Sequence, residues 1–124
     1  MTEQEWAAQL WPLLVLAAKK RQILTYAEVH KLTGIATLGV GRCLGPITRY
    51  CEDKTLPALA SIVVRHATGV PGENFMNLVR KKELPLSEMQ WRVFEYDWFK
   101  EKRPSAKQLE PFKDKRRVAP RRKS

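Results

Sequence analysis

The stretch LTYAEVHKLTG, Leu24 to Gly34, leaves the chain few options. Thr25 and Glu28 stand at the spacing of a capping box: the threonine hydroxyl accepts the amide three residues on, and the glutamate reaches back to the cap amide. Gly34 supplies the left-handed residue on which a helix stops. The spacing predicts a short helix over Tyr26–Leu32, approached by extended residues Gln22–Leu24. Polar Thr37 then precedes a second helical stretch, Leu38–Glu52, with Val40, Leu44, Ile47 and Cys51 on one face. Gly45-Pro46 predicts a kink in it, or two short pieces, because proline removes a backbone bond. Two helices joined through a glycine turn form a helix-turn-helix pattern.

Before this pair, Trp6, Leu10, Leu13, Leu14 and Ala17 predict a helix over residues 3–21, kinked at Pro12 or beginning near it. Trp11 and Val15 widen its apolar stripe. With Trp6, they mark either the inner face of a core helix or an interface for a protein partner or a second copy. After the pair, Leu56–Arg65 reads as a strand, Ala67–Asn74 as turn chemistry and residues 75–82 as a short helix. Ser87 and Gln90 form a second capping box, opening a helix whose Trp91, Phe94 and Trp98 recur at helical spacing. That stripe suits a core face more than a base-stacking surface. A helix pair followed by a strand and a glycine-rich excursion is the order of a winged helix. The expected fold is mostly α with a small β component (α+β): a winged helix-turn-helix-like domain with an N-terminal helix and a C-terminal aromatic helix.

The 124 residues suffice for one modest core, and the formal net charge is +10. That charge is uneven: residues 101–124 hold ten Lys and Arg against three Asp and Glu, whereas residues 1–100 hold thirteen against ten. Prolines recur at 104, 111 and 120, without periodicity. The expectation is a globular domain over 1–100 and a disordered basic tail over 101–124. Lys113, Lys115, Arg116, Arg117, Arg121, Arg122 and Lys123 would meet phosphates by counterion release, or serve as a solubilising end. Cys43 and Cys51 form no metal-binding spacing and read as reduced thiols of a cytoplasmic protein. The uncharged run Trp6–Ala18 is too short to span a bilayer and follows Glu3 and Glu5, so no membrane role is expected. His30 and His66 stand apart, and neither H-E-x-x-H nor a phosphate-binding G-x-x-x-x-G-K loop occurs. No enzyme, cofactor or metal is expected.

Leu24-Thr-Tyr26, Gly39-Val-Gly41 and Val63-Val64 before a glycine turn carry a likeness. Over Gln22–Gly69 the chain resembles the C-terminal winged-helix DNA-binding domain of the alkylguanine DNA alkyltransferases and alkyltransferase-like proteins. In that family Pro-Cys-His-Arg precedes the paired valines, and its cysteine accepts the alkyl group. Here Ala60, Ser61 and Ile62 stand where the cysteine, histidine and arginine would be, so the resemblance implies DNA binding without alkyl transfer. It also implies that Tyr26 presses on a phosphate. Leu38 takes the place of the arginine that fills the hole left by a flipped base; an apolar wedge can open a base step but lacks the guanidinium's hydrogen bonds. The expected DNA contacts are Tyr26, Thr37, Leu38, Gly39, Gly41, Arg42 and Arg49 on or near the second helix, with Arg65 and His66 at the wing. The expected function is a non-enzymatic DNA-binding protein, double-stranded DNA being the first partner. The alternative is a protein-interaction module on the same scaffold, an accessory or inhibitory protein of a phage or mobile element.

Overall fold

The computed structural model describes residues 1–113 of the chain. Helix α1 spans Glu3–Lys19, with Thr2 as its cap: the threonine hydroxyl accepts the Glu5 amide at 3.1 Å, and the Glu5 carboxylate accepts the Thr2 amide at 2.7 Å. It runs through Pro12 as one element, so the expected start at the proline is not found. Pro12 is exposed, while Leu10, Trp11, Leu14 and Val15 are buried, so packing holds the helix across its one missing backbone bond. Trp11 and Val15, read either as the inner face of a core helix or as an interface, lie in the core at 2% and 7% exposure, and Trp6 is half-buried against it. No interface stripe is left on this helix by those three residues.

Strand β1 is Leu24–Thr25, and Tyr26–Thr33 form α2, capped by the expected Thr25–Glu28 box and ended by Gly34 at a φ of +82°. Helix α3 is Thr37–Asp53, a single element through Gly45-Pro46, so the two short pieces are not found. Its buried face, Val40, Cys43, Leu44, Ile47 and Cys51, continues across the proline and packs on α1, which outweighs one missing bond.

The expected strand Leu56–Arg65 is mostly not a strand. Leu59–Ile62 make a 3-10 turn, and only Val63–Val64 extend as β2, paired in parallel with β1 in the register Leu24↔Val63. A wholly buried apolar run carries no alternation to distinguish strand from turn. Here the partner strand offers only two residues, and the Ser61 carbonyl is satisfied by the Gln90 side-chain amide at 2.9 Å. Residues 65–70 close on themselves through Gly69 N–H to Arg65 O (2.8 Å) and Arg65 N–H to Val70 O (2.9 Å). They add no strand, so the β component among the described residues is one two-stranded parallel sheet.

Helix α4 is Glu73–Lys82 and α5 is Leu86–Glu95. The expected Ser87–Gln90 box does not form. Helix α5 starts just after Pro85, and the Gln90 amide is engaged with Ser61 instead. Nor is there a continuous aromatic face. Trp98 sits past the helix in a 3-10 turn, donating its Nε1–H to Val93 O at 2.8 Å, while Trp91 is 55% exposed. Met89, Val93 and Trp98 supply the buried contacts of this region.

The expected boundary at residue 100 is also corrected. Ser105 and Gln108 form a capping box that opens α6, Ala106–Leu109, and Leu109 is fully buried against α1 and α3. Phe112 follows in a 3-10 turn, edge-on to Tyr50 with ring centroids 5.8 Å apart, and Gln4 of α1 donates to Glu110. Residues 101–113 therefore belong to the globular unit. Lys113, expected as a tail phosphate contact, lies 2.6 Å from the Glu110 carboxylate, which it holds below the usual carboxylate range. Lys115, Arg116, Arg117, Arg121, Arg122 and Lys123 lie outside the described residues. No described helix is long and apolar enough to cross a membrane.

Leu109→Ala is expected to cost about 2–5 kcal/mol of folding free energy. Urea unfolding of the full chain measures this; a loss under about 0.5 kcal/mol, typical of a surface site, would return the segment to the status of a tail.

Candidate nucleic-acid interface

With one face of α3 in the core, the other carries Leu38, Arg42, Gly45 and Arg49 at successive helical turns. This face forms one wall of an open groove of about 1010 Å³. The second wall is the segment from Arg65 through His66, Pro71 and Gly72 into the first turns of α4. Tyr26, Ala60, Val63 and Phe75 also line it. The β1–β2 pairing brings these parts together, because Val63 pairs with Leu24, two residues before Tyr26.

Eight of the nine expected contacts line this groove: Tyr26, Thr37, Leu38, Gly41, Arg42, Arg49, Arg65 and His66. Gly39 does not. It faces Ile35, whose Cγ2 would lie 3.2 Å from an added Cβ, so its smallness serves the turn between α2 and α3. Leu38 is 74% exposed. Arg49 is partly committed, since its Nε donates to the backbone carbonyl of Phe112. Sequence reading missed Thr48, Asn74 and Asn77, polar side chains that face the groove. The Asn pair, three apart at the start of α4, is the cue that could have found them.

The electrostatic balance of the groove is basic. Arg42, Arg49 and Arg65 line it, with His66 beside them, and its one carboxylate, Glu73, pairs with Arg80 at 2.6 Å. Glu52, next to the end of α3, is paired with Lys82 at 2.5 Å and lies outside the groove lining.

Tyr26 is held by two glycines. A Cβ on Gly41 would sit 3.6 Å from the phenol ring, and one on Gly72 only 2.8 Å from its hydroxyl. The ring is thus wedged between α3 and the segment preceding α4, its hydroxyl at the groove surface. Ala60, at the position the resemblance gives to an alkyl-accepting cysteine, lines the groove with a methyl group, which cannot act as a nucleophile. The neighbouring Ser61 hydroxyl is wholly buried with no hydrogen-bond partner. Both cysteines lie on the buried side of α3, and burial pushes the Cys51 thiol up to about 12. No cluster of three or more metal-ligating side chains occurs among the described residues.

Comparisons of the chain with protein-family models, with curated proteins and with solved structures give no match.

Two outcomes follow from this geometry. Gly72→Ala is expected to displace the Tyr26 phenol, visible as changed ring proton shifts. Gly41→Ala, with ordinary contact distance and a gain of about 1 kcal/mol in helix propensity, should keep the ring in place and raise stability. Unmoved Tyr26 resonances in Gly72→Ala would refute the clamp. Iodoacetamide at about pH 8.5, the ordinary thiol pKa, is expected to label Cys51 roughly 100-fold or more slowly in the folded chain than in urea. Comparable rates would mean that the buried face of α3 opens readily.

Proposed function

We propose that the protein is a non-enzymatic DNA-binding protein, a helix-turn-helix of winged-helix type in which α3 faces the duplex. The observation that supports this most is convergence. The one face of α3 left out of the core carries Arg42 and Arg49, and the folded chain sets Arg65 and His66 opposite them across a single groove. Cations on two walls match a polyanion better than a neutral small ligand. Thr37, Thr48, Asn74 and Asn77 add groups able to hydrogen-bond base edges or phosphate oxygens. Leu38, at the exposed start of α3, is placed to press on a base step.

Tyr26 would approach a phosphate with its clamped hydroxyl, and Arg65 and His66 would contact the backbone beside it. These are the roles that the resemblance to the alkyltransferase DNA-binding domain implies, without its thiol. The alternative, a protein-interaction module, was motivated by Trp6, Trp11 and Val15. With Trp11 and Val15 buried and Trp6 packed against the core, that motive is gone.

The test is fluorescence anisotropy of a labelled duplex of about 20 base pairs over a salt series. Replacing Arg42 and Arg65 by Gln in the full chain is expected to weaken binding and flatten the slope of log K against log salt by about 1.8, two phosphate contacts' worth. Unchanged affinity and slope in a folded double variant would remove the groove as the interface.

A further inference from the structure

The start of α4 carries the two side-chain amides that line the groove, Asn74 and Asn77. They stand one turn apart, and they are not equivalent. Arg80, a further turn along, donates from Nη2 to the Asn77 side-chain oxygen at 2.5 Å and to the Glu73 carboxylate at 2.6 Å. A guanidinium has only donors, so it must meet the carbonyl oxygen of Asn77, which leaves Asn77 its NH2 group alone. Asn74 is exposed, and its amide makes no hydrogen bond among the described residues. Phe75 beside it is buried, which fixes the backbone that carries it. Asn74 therefore offers a donor and an acceptor side by side, from the wall across the groove from Arg42.

We infer that Asn74 is a base-reading residue of the groove and selects an adenine in the major groove of the bound duplex. This rests on the nucleic-acid reading of the groove. The chemistry of the pair decides the base. Adenine presents the N7 acceptor beside the N6 amino donor, which a carboxamide meets with two hydrogen bonds at once, whereas guanine presents two acceptors there. The other neutral polar groups of the lining lack this match. Asn77 has its carbonyl engaged by Arg80, Thr48 already donates its hydroxyl to Leu44 O at 2.9 Å, and Thr37 brings a single hydroxyl, which suits any base. Charge divides the labour further. The cations Arg42 and Arg65 gain by releasing counterions from phosphates, a gain that a neutral amide lacks, so Asn74 contributes through geometry. The Arg80 contact also offsets the charge of Glu73, next to Asn74, which would otherwise repel the phosphates beside that base.

The experiment presents the full chain with a pool of duplexes of about 20 base pairs, randomised at the centre, and sequences the retained fraction. Wild-type chain is expected to favour adenine at one position about 5- to 150-fold over the other bases. Asn74→Ala should level that position. On the selected duplex its slope of log K against log salt should stay unchanged, since no phosphate contact is lost. Asn74→Asp, which keeps an acceptor without the donor, should shift the position toward cytosine, whose N4 amino group donates. An adenine preference that survives either substitution would overturn the inference. So would a slope flattened by about 0.9 in Asn74→Ala, which reports a phosphate contact, and so would a wild-type chain that selects no adenine. In those cases, binding that remains sensitive to Arg42 and Arg65 leaves the proposed function standing. If wild-type chain retains no duplex, the DNA reading falls and the inference with it.

Discussion

Trp11 stands at 2% exposure between Tyr50 of α3 and Trp98 beyond α5, edge-on to both, with ring centroids 5.7 and 5.8 Å away. Tyr50 carries the contact on to Phe112, and Trp98 donates its indole N–H to Val93 O. Four segments far apart in sequence are joined by this file of rings. Edge-to-face pairs add about 0.5–1.5 kcal/mol each beyond the area they bury, and a fully buried tryptophan is worth about 3–5 kcal/mol on truncation to alanine. The orientation of α3 against α1, the seat of α5 and the path of the last described residues all depend on it.

The groove is a consequence of that packing. Once Val40, Cys43, Leu44, Ile47 and Cys51 are committed inward, 3.6-residue periodicity leaves Leu38, Arg42, Gly45 and Arg49 outward. The two-residue parallel pairing then sets Val63, and with it Arg65 and His66, beside the start of α2. Ion pairing refines the balance of charge. Glu52 and Glu73 would each oppose an anionic ligand, and each is matched by a cation of α4, Lys82 or Arg80.

Much of this was legible from local rules. The Thr25–Glu28 box, the Gly34 stop and the inward face of α3 are fixed by chemistry within one or two turns, and they appear where the residues put them. Eight of the nine expected groove contacts meet because most lie on one helix face, which periodicity reveals. The misreadings share a cause. Gln90 and Trp98 were assigned to features of α5 by local spacing, and each takes its place from a residue distant in sequence: Ser61 for Gln90 and Trp11 for Trp98. The same holds for residues 101–113. Their charge and prolines imply solvent, yet a single leucine finding a vacancy between α1 and α3 outweighs that composition. The local cue was Ser105-Ala-Lys-Gln108, a capping box as plain as the one at Thr25.

By itself, then, the sequence determined where the longer helices run, how α2 is capped and which face of α3 is apolar, since these depend on hydrogen bonds and side chains a few residues apart. Only the tertiary structure decided that Trp11 and Val15 are spent in the core and that Arg65 and His66 stand opposite Arg42 and Arg49. It alone decided, too, that Tyr26 is wedged between Gly41 and Gly72. Each of those depends on contacts between residues far apart in the chain, and no local propensity or period encodes such a distance.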